Sequence, residues 1–261
     1  MPFVDTSVGR VCYEERGSGA PIVLLHATLH DRHDYDRVVE QLSRDHRTIA
    51  IDWPGHGDSD PVRDVTATRL ADVLVEVLDA LGVPRAVFVG NSVGGFAAAR
   101  LAAQAPDRVA GLVLVNTGGF IRPTVATRFV CWLLGAPWRA RLLFPSLVPA
   151  YMRARGAEDA AVTARVRGRA RTPAGARVVA GLWRSFAAPS YDLRSETIDV
   201  PTLLVWGRRD RVLPMSVARQ TQAALGGAGA LRTFDTGHVV FASDPDGFAA
   251  AVAPFVAAVR V

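Results

Sequence analysis

Residues 86–104 join three local signals end to end. An apolar run, Ala86-Val87-Phe88-Val89, leads into a glycine-bracketed serine, Gly90-Asn91-Ser92-Val93-Gly94-Gly95, and then into an alanine-rich stretch that stops before Pro106. The run is short and lacks polar alternation, so it reads as a strand buried on both faces. The stretch from Gly95 to Gln104 reads as a helix. A strand buried on both faces requires helices above and below it, which constrains the whole chain to a layered α/β architecture.

The remainder repeats that pattern. Ile22–Leu25, Arg47–Ile51, Gly111–Val115, Thr202–Trp206 and Leu231–Phe234 are further short runs rich in Val, Ile and Leu. Val4–Val8 and Val11–Glu15 form a leading hairpin around Gly9–Arg10. Between strands the period turns helical: Leu70, Val73, Leu74, Val77, Leu78 and Leu81 recur at three and four, and Gly82 with Pro84 closes that helix. A last helix around Phe248–Val259 carries Pro254 and is expected to start late or bend there. From about residue 120 to 190 the strand signals stop, leaving short helices broken by Gly135, Pro137, Pro145, Pro149, Gly156, Pro173 and Pro189. The expected division is therefore an α/β core over 1–119 and 191–261 with a helical lid over 120–190.

Composition narrows the function. The 261 residues carry a net charge of +5, and all 30 basic residues are arginine. Arginine without lysine along the whole chain fits codon bias and not a localised nucleic-acid footprint, so no nucleic-acid partner is expected. Arginines do crowd 128–184, opposed only by Glu158 and Asp159; they suggest an acidic or carboxylate-bearing substrate. No apolar run is long enough to span a bilayer and residues 1–19 lack a signal-peptide layout, so the expectation is a cytoplasmic protein with no membrane partner. Cys12 and Cys131 lie in apolar surroundings without metal or redox spacing and read as buried free thiols.

A serine on so tight a strand-turn-helix occupies strained backbone, which marks Ser92 as a nucleophile. It needs a positioned base and a carboxylate to orient that base. His238, in Asp235-Thr236-Gly237-His238 after the last strand, is the candidate base. Asp210, in Gly207-Arg208-Arg209-Asp210 after the strand Thr202–Trp206, is the candidate acid; Asp52 and Asp235 are its rivals. His33 and His46 read as surface residues and His56 as packed in a turn.

Together these residues resemble the α/β-hydrolase superfamily over nearly the whole chain. The resemblance includes Leu24-Leu25-His26-Ala27-Thr28 after an early strand, the turn Asp52-Trp53-Pro54-Gly55-His56-Gly57-Asp58-Ser59, and the order serine, acid, histidine. It implies an oxyanion hole from the Thr28 and Val93 backbone N–H groups, although the family usually has His-Gly where this chain has His26-Ala27. It implies hydrolysis of a small carboxylic ester or lactone through an acyl-enzyme, with no metal and no organic cofactor. Relatives with an aspartate nucleophile are excluded by Ser92. Carbon–carbon bond hydrolases, which commonly share the Gly-Asn-Ser elbow, stay open, as do acyltransferases or cyclases on the same triad and a binding protein that has lost turnover. Phe129, Trp132, Leu133, Leu134, Trp138, Leu142, Leu143 and Phe144 are candidates to line an apolar pocket under the lid.

Overall fold

The computed structural model describes residues 1–154, 156–227 and 229–260. Eight strands form one sheet: β1 (Phe3–Thr6), β2 (Gly9–Arg16), β3 (Pro21–Leu25), β4 (Arg47–Ile51), β5 (Ala86–Asn91), β6 (Val109–Val115), β7 (Thr202–Gly207) and β8 (Ala230–Phe234). The helices are α1 (Asp36–Leu42), α2 (Ala67–Ala80), α3 (Val93–Gln104), α4 (Val125–Leu134), α5 (Pro137–Met152), α6 (Ala157–Ala170), α7 (Pro173–Phe186), α8 (Met215–Ala224), α9 (Val240–Ser243) and α10 (Pro245–Ala258). Among the described residues no helix is long and apolar enough to cross a membrane.

The sheet order is β1-β2-β4-β3-β5-β6-β7-β8. β1 pairs antiparallel with β2 and β2 with β4; every later pairing is parallel. β5 and β6 are buried along their full length, as central parallel strands covered on both faces must be. The chain runs outward from β3 to β4, then crosses back to place β5 on the other side of β3. The connections leaving the carboxyl ends of β3 and β5 therefore diverge, opening a crevice at the switch point.

α2 buries Leu70, Val73, Leu74, Val77 and Leu78 along one face, and Thr66 caps its first turn by accepting from the Arg69 amide. α3 begins at Val93, two residues earlier than its composition suggests, directly on the serine turn. Three local expectations need correction. The leading hairpin turns at Ser7-Val8, because Thr6 pairs with Gly9 and leaves Gly9 and Arg10 inside β2. α5 runs unbroken through Pro145 and Pro149. Each proline removes one helical N–H, but burial of Phe144, Pro145, Val148, Tyr151 and Met152 holds the segment helical. α10 starts early, at Pro245 in the first turn where proline is tolerated, and contains Pro254.

Candidate active site

Ser92 sits between β5 and α3 with φ 56° and ψ −113°, a conformation that side chains rarely adopt. The turn is possible because its flanks are glycine. A Cβ on Gly94 would lie 2.3 Å from the Leu25 carbonyl oxygen, and one on Gly90 2.5 Å from that of Gly94. Ser92 is half-buried and lines a cavity of about 460 Å³ together with Thr28, His30, Tyr151 and His238.

His238 follows β8. Its Nδ1 lies 2.6 Å from Asp210 Oδ2, and its amide donates to the Tyr151 carbonyl at the end of α5. Asp210 is buried and held from four directions. Its Oδ2 also accepts from Asn116 Nδ2 at 2.6 Å, while its Oδ1 accepts from the amides of Val212 (2.7 Å) and Leu213 (3.1 Å). Asn116, at the end of β6 with φ 41°, is itself fixed by accepting from the Gly207 amide. Neither rival carboxylate is bonded in this way to His238. Asp52 is ion-paired with buried Arg32, and Asp235 is bridged to Arg209 through both oxygens.

Val93 is the first residue of α3, where an amide has no intrahelical acceptor. Thr28 lies in the loop after β3. That loop is anchored by His26, whose Nε2 accepts from the Trp53 amide at 3.0 Å, leaving its Nδ1 proton for the Ala27 carbonyl. The unusual Ala27 needs no left-handed backbone; the left-handed residue is buried Leu29, at φ 62°. Burial pushes the His26 imidazole down to about 4 and that of neighbouring His56 down to about 3. Both are structural neutral histidines.

Several residues around the cavity carry no local sequence motif that marks them. His30 is buried beside Asp34 and places its Nε2 3.2 Å from the Tyr151 hydroxyl. The Tyr151 ring meets His238 edge-on at 5.5 Å. Two arginines of α6 clasp the loop that carries Thr28. Arg165 pairs with Asp34 and stands 2.9 Å from Asp31, and Arg169 lies 2.5 Å from Asp31. Burial would raise the Asp31 carboxyl, yet Arg169 and Arg165 outweigh it and hold the group below its usual range. A loop histidine with a carboxylate four residues on was the available signal; its arginine partners lie far along the chain.

Among the described residues, the arginines of 128–184 do not line the cavity. Among the described residues the cavity's arginine is Arg211, outside the 128–184 stretch, whose Arg165, Arg169 and Arg184 bind protein groups. Of the apolar candidates, Phe144 lines the cavity and Leu134 is buried. Phe129, Trp132, Trp138 and Leu142 are exposed on the outer face. Ile121, Val130, Leu147, Trp183 and Phe186 complete the apolar wall. Cys12 and Cys131 are free and buried, and burial pushes the Cys131 thiol up to about 11, which leaves it unreactive. Cys12, Asp52 and Asp58 are close enough to share a metal ion, but Arg32 already neutralises both carboxylates.

A strained serine and a carboxylate-bound histidine line one apolar cavity at the carboxyl edge of a mostly parallel sheet. The chain belongs to the alpha/beta hydrolase fold family, whose pattern matches residues 20–245. It is similar to a pimeloyl-[acyl-carrier protein] methyl ester esterase of Nitrosomonas europaea, 34% identical over 252 residues that cover 90% of this chain and 95% of that protein. A 2-hydroxy-6-oxononadienedioate/2-hydroxy-6-oxononatrienedioate hydrolase of Burkholderia vietnamiensis is 34% identical over 228 residues, covering 80% and 77%. Among solved structures, the enol-lactonase from Burkholderia xenovorans LB400 matches with a TM-score of 0.83 at 25% identity, covering 98% of this chain and 100% of that one.

Proposed function

We propose that this hydrolase cleaves a small carboxylic ester or lactone with an apolar acyl or alcohol part, using Ser92 as nucleophile, His238 as base and Asp210 as the orienting acid. The observation that carries the reading is the His238 Nδ1–Asp210 contact on the cavity that Ser92 lines. With Nδ1 engaged, Nε2 is the nitrogen left to exchange a proton.

Ser92 Oγ attacks the carbonyl carbon as His238 Nε2 takes the hydroxyl proton. The electron pair displaced onto the carbonyl oxygen is stabilised by the Thr28 and Val93 N–H groups and the amino end of α3. Collapse breaks the bond to the leaving oxygen, which receives the proton from His238. Water, deprotonated by the same nitrogen, then attacks the acyl-enzyme; the acid leaves and Ser92 regains its proton. Helices α4–α7 act as a lid over the cavity and set substrate choice. The similarity to a methyl ester esterase and an enol-lactonase supports an oxygen-linked leaving group.

Carbon–carbon bond hydrolysis is the second reading, supported by Gly90-Asn91-Ser92 and the Burkholderia vietnamiensis relative. Asn91, however, is occupied in scaffolding, donating to the carbonyls of Val115 and His238. Treatment with a fluorophosphonate probe and mapping of the modified peptide tests the proposal. Labelling of Ser92, absent in Ser92→Ala, is expected; labelling that persists in the variant, or none in the folded protein, overturns it. Turnover of aryl esters against a vinylogous 1,5-diketone then separates the two readings.

A further inference from the structure

The outer face of α4 and α5 is unlike the rest of the surface. Phe129, Trp132, Trp138 and Leu142 are 58–69% exposed, and Val125 is 86% exposed. Among the described residues, most of the large apolar side chains that are exposed lie on these two helices. The three aromatic rings form one patch: Phe129 and Trp132 stack at 5.7 Å, and the Arg139 guanidinium lies 4.4 Å above Trp132 and 5.3 Å from Trp138. Local sequence causes this. Val125, Phe129 and Trp132 recur at helical spacing on the side of α4 opposite buried Cys131 and Leu134, so the helix has two apolar faces and only one meets the core.

An apolar patch of this kind has to be covered by something. Its chemistry selects the cover. Neither α4 nor α5 contains an acidic residue, while Arg128, Arg139 and Arg141 lie on them. Glu158, the nearest acid along the chain that is exposed, is paired with Arg37. A two-fold contact with another copy of the chain would lay this cationic face on itself, because such interfaces use the same patch twice. Tryptophan and phenylalanine beside arginine instead match the boundary of an anionic bilayer, where aromatic rings settle at headgroup depth and guanidiniums meet phosphates.

We infer that the α4–α5 face is a docking surface for anionic lipid, on which the protein rests without spanning the bilayer. The expectation of no membrane partner rested on the lack of a spanning segment, which does not bear on a helix lying in the interface. Val130 of α4 and Phe144 and Leu147 of α5 line the cavity from the same two helices. The docked face therefore adjoins the cavity, and an amphiphile in the lipid layer lies next to it.

The test is flotation of the full chain with vesicles of phosphatidylcholine mixed equally with phosphatidylglycerol, against phosphatidylcholine alone, at low and high salt. Trp132→Ser/Trp138→Ser and Arg128→Glu are the variants, with thermal melting as the check on folding. The wild-type chain is expected to float with the anionic vesicles, less so at high salt, with a blue shift in tryptophan emission. The tryptophan pair is expected to lower the bound fraction's partition constant about tenfold, and Arg128→Glu at least about fivefold. Absence of flotation with anionic vesicles, or equal flotation of the folded variants, overturns the inference. So does a concentration-dependent dimer that the tryptophan substitutions dissolve while vesicle binding is absent, since the face would then be a contact between copies.

Discussion

Both oxygens of Asp210 accept from two donors each: Oδ1 from the Val212 and Leu213 amides, Oδ2 from Asn116 and His238. Asp210→Asn keeps the shape and inverts half of this chemistry. With its oxygen kept by the two amides, the new NH₂ faces Asn116 and His238, and the imidazole relieves the clash by moving its proton to Nε2. On the proposed mechanism, a base protonated on the nitrogen that must accept cannot work. The expected result is a fall in kcat of about 10⁴-fold with little change in melting temperature, measured by steady-state kinetics and thermal unfolding. Loss of only a fewfold would show that another group orients His238. Asn116 belongs to the same unit, because it spans Asp210 and the Gly207 amide and so fixes the end of β7 to that of β6.

At the scale of elements, the two α6 arginines connect the helical insertion to the loop that carries the Thr28 amide. Asp31 and Asp34 are buried carboxylates, and Arg165 and Arg169 are what balance them. Arg165→Met/Arg169→Met removes that clasp without touching the cavity wall. On the proposed mechanism, substrate affinity is then nearly preserved, but the loop that carries the Thr28 amide loses its fixed position. The expected outcome is a kcat about tenfold to a hundredfold lower at nearly constant KM, partly restored by Lys at both positions. A rise in KM at constant kcat would assign these arginines to substrate binding. α5 makes a second link, since its Tyr151 carbonyl holds the His238 amide and its side chain reaches His30. Two connections therefore tie the insertion to the loops that carry Thr28 and His238.

For the whole molecule, two buried neutral histidines contribute to the response to acid. His26 and His56 have folded-state values of about 4 and about 3, below the ordinary 6.5. The unfolded chain therefore takes up protons first as pH falls. Their contribution to stability is complete above about 6.5 and is lost between there and about 4, continuing to about 3 for His56. Each histidine costs up to about 1.4 kcal/mol per pH unit in that window. Urea midpoints measured from pH 7 to 4 are expected to fall steadily, and His56→Gln is expected to flatten the slope; a midpoint independent of pH would remove both histidines from the balance.

The strand order of signals, the serine turn and the late Asp210 and His238 were all readable along the chain. Each depends on neighbours a few residues away: apolar runs too short for helices, glycines where a side chain would strike backbone, loops directly after strands. Even the sheet's interior was foreseeable, because β5 and β6 carry no polar alternation. What depended on distant segments was not. The roles of His30, Asn116, Arg165 and Arg169 arise from partners brought in across the sheet or from the insertion, and a proline-rich stretch became the single helix α5 because its buried face outweighed two missing hydrogen bonds. The direction in which Trp132 and Trp138 point was equally hidden. Periodicity shows that a helix is apolar on a side; only packing decides which apolar side the core takes and which it leaves outside.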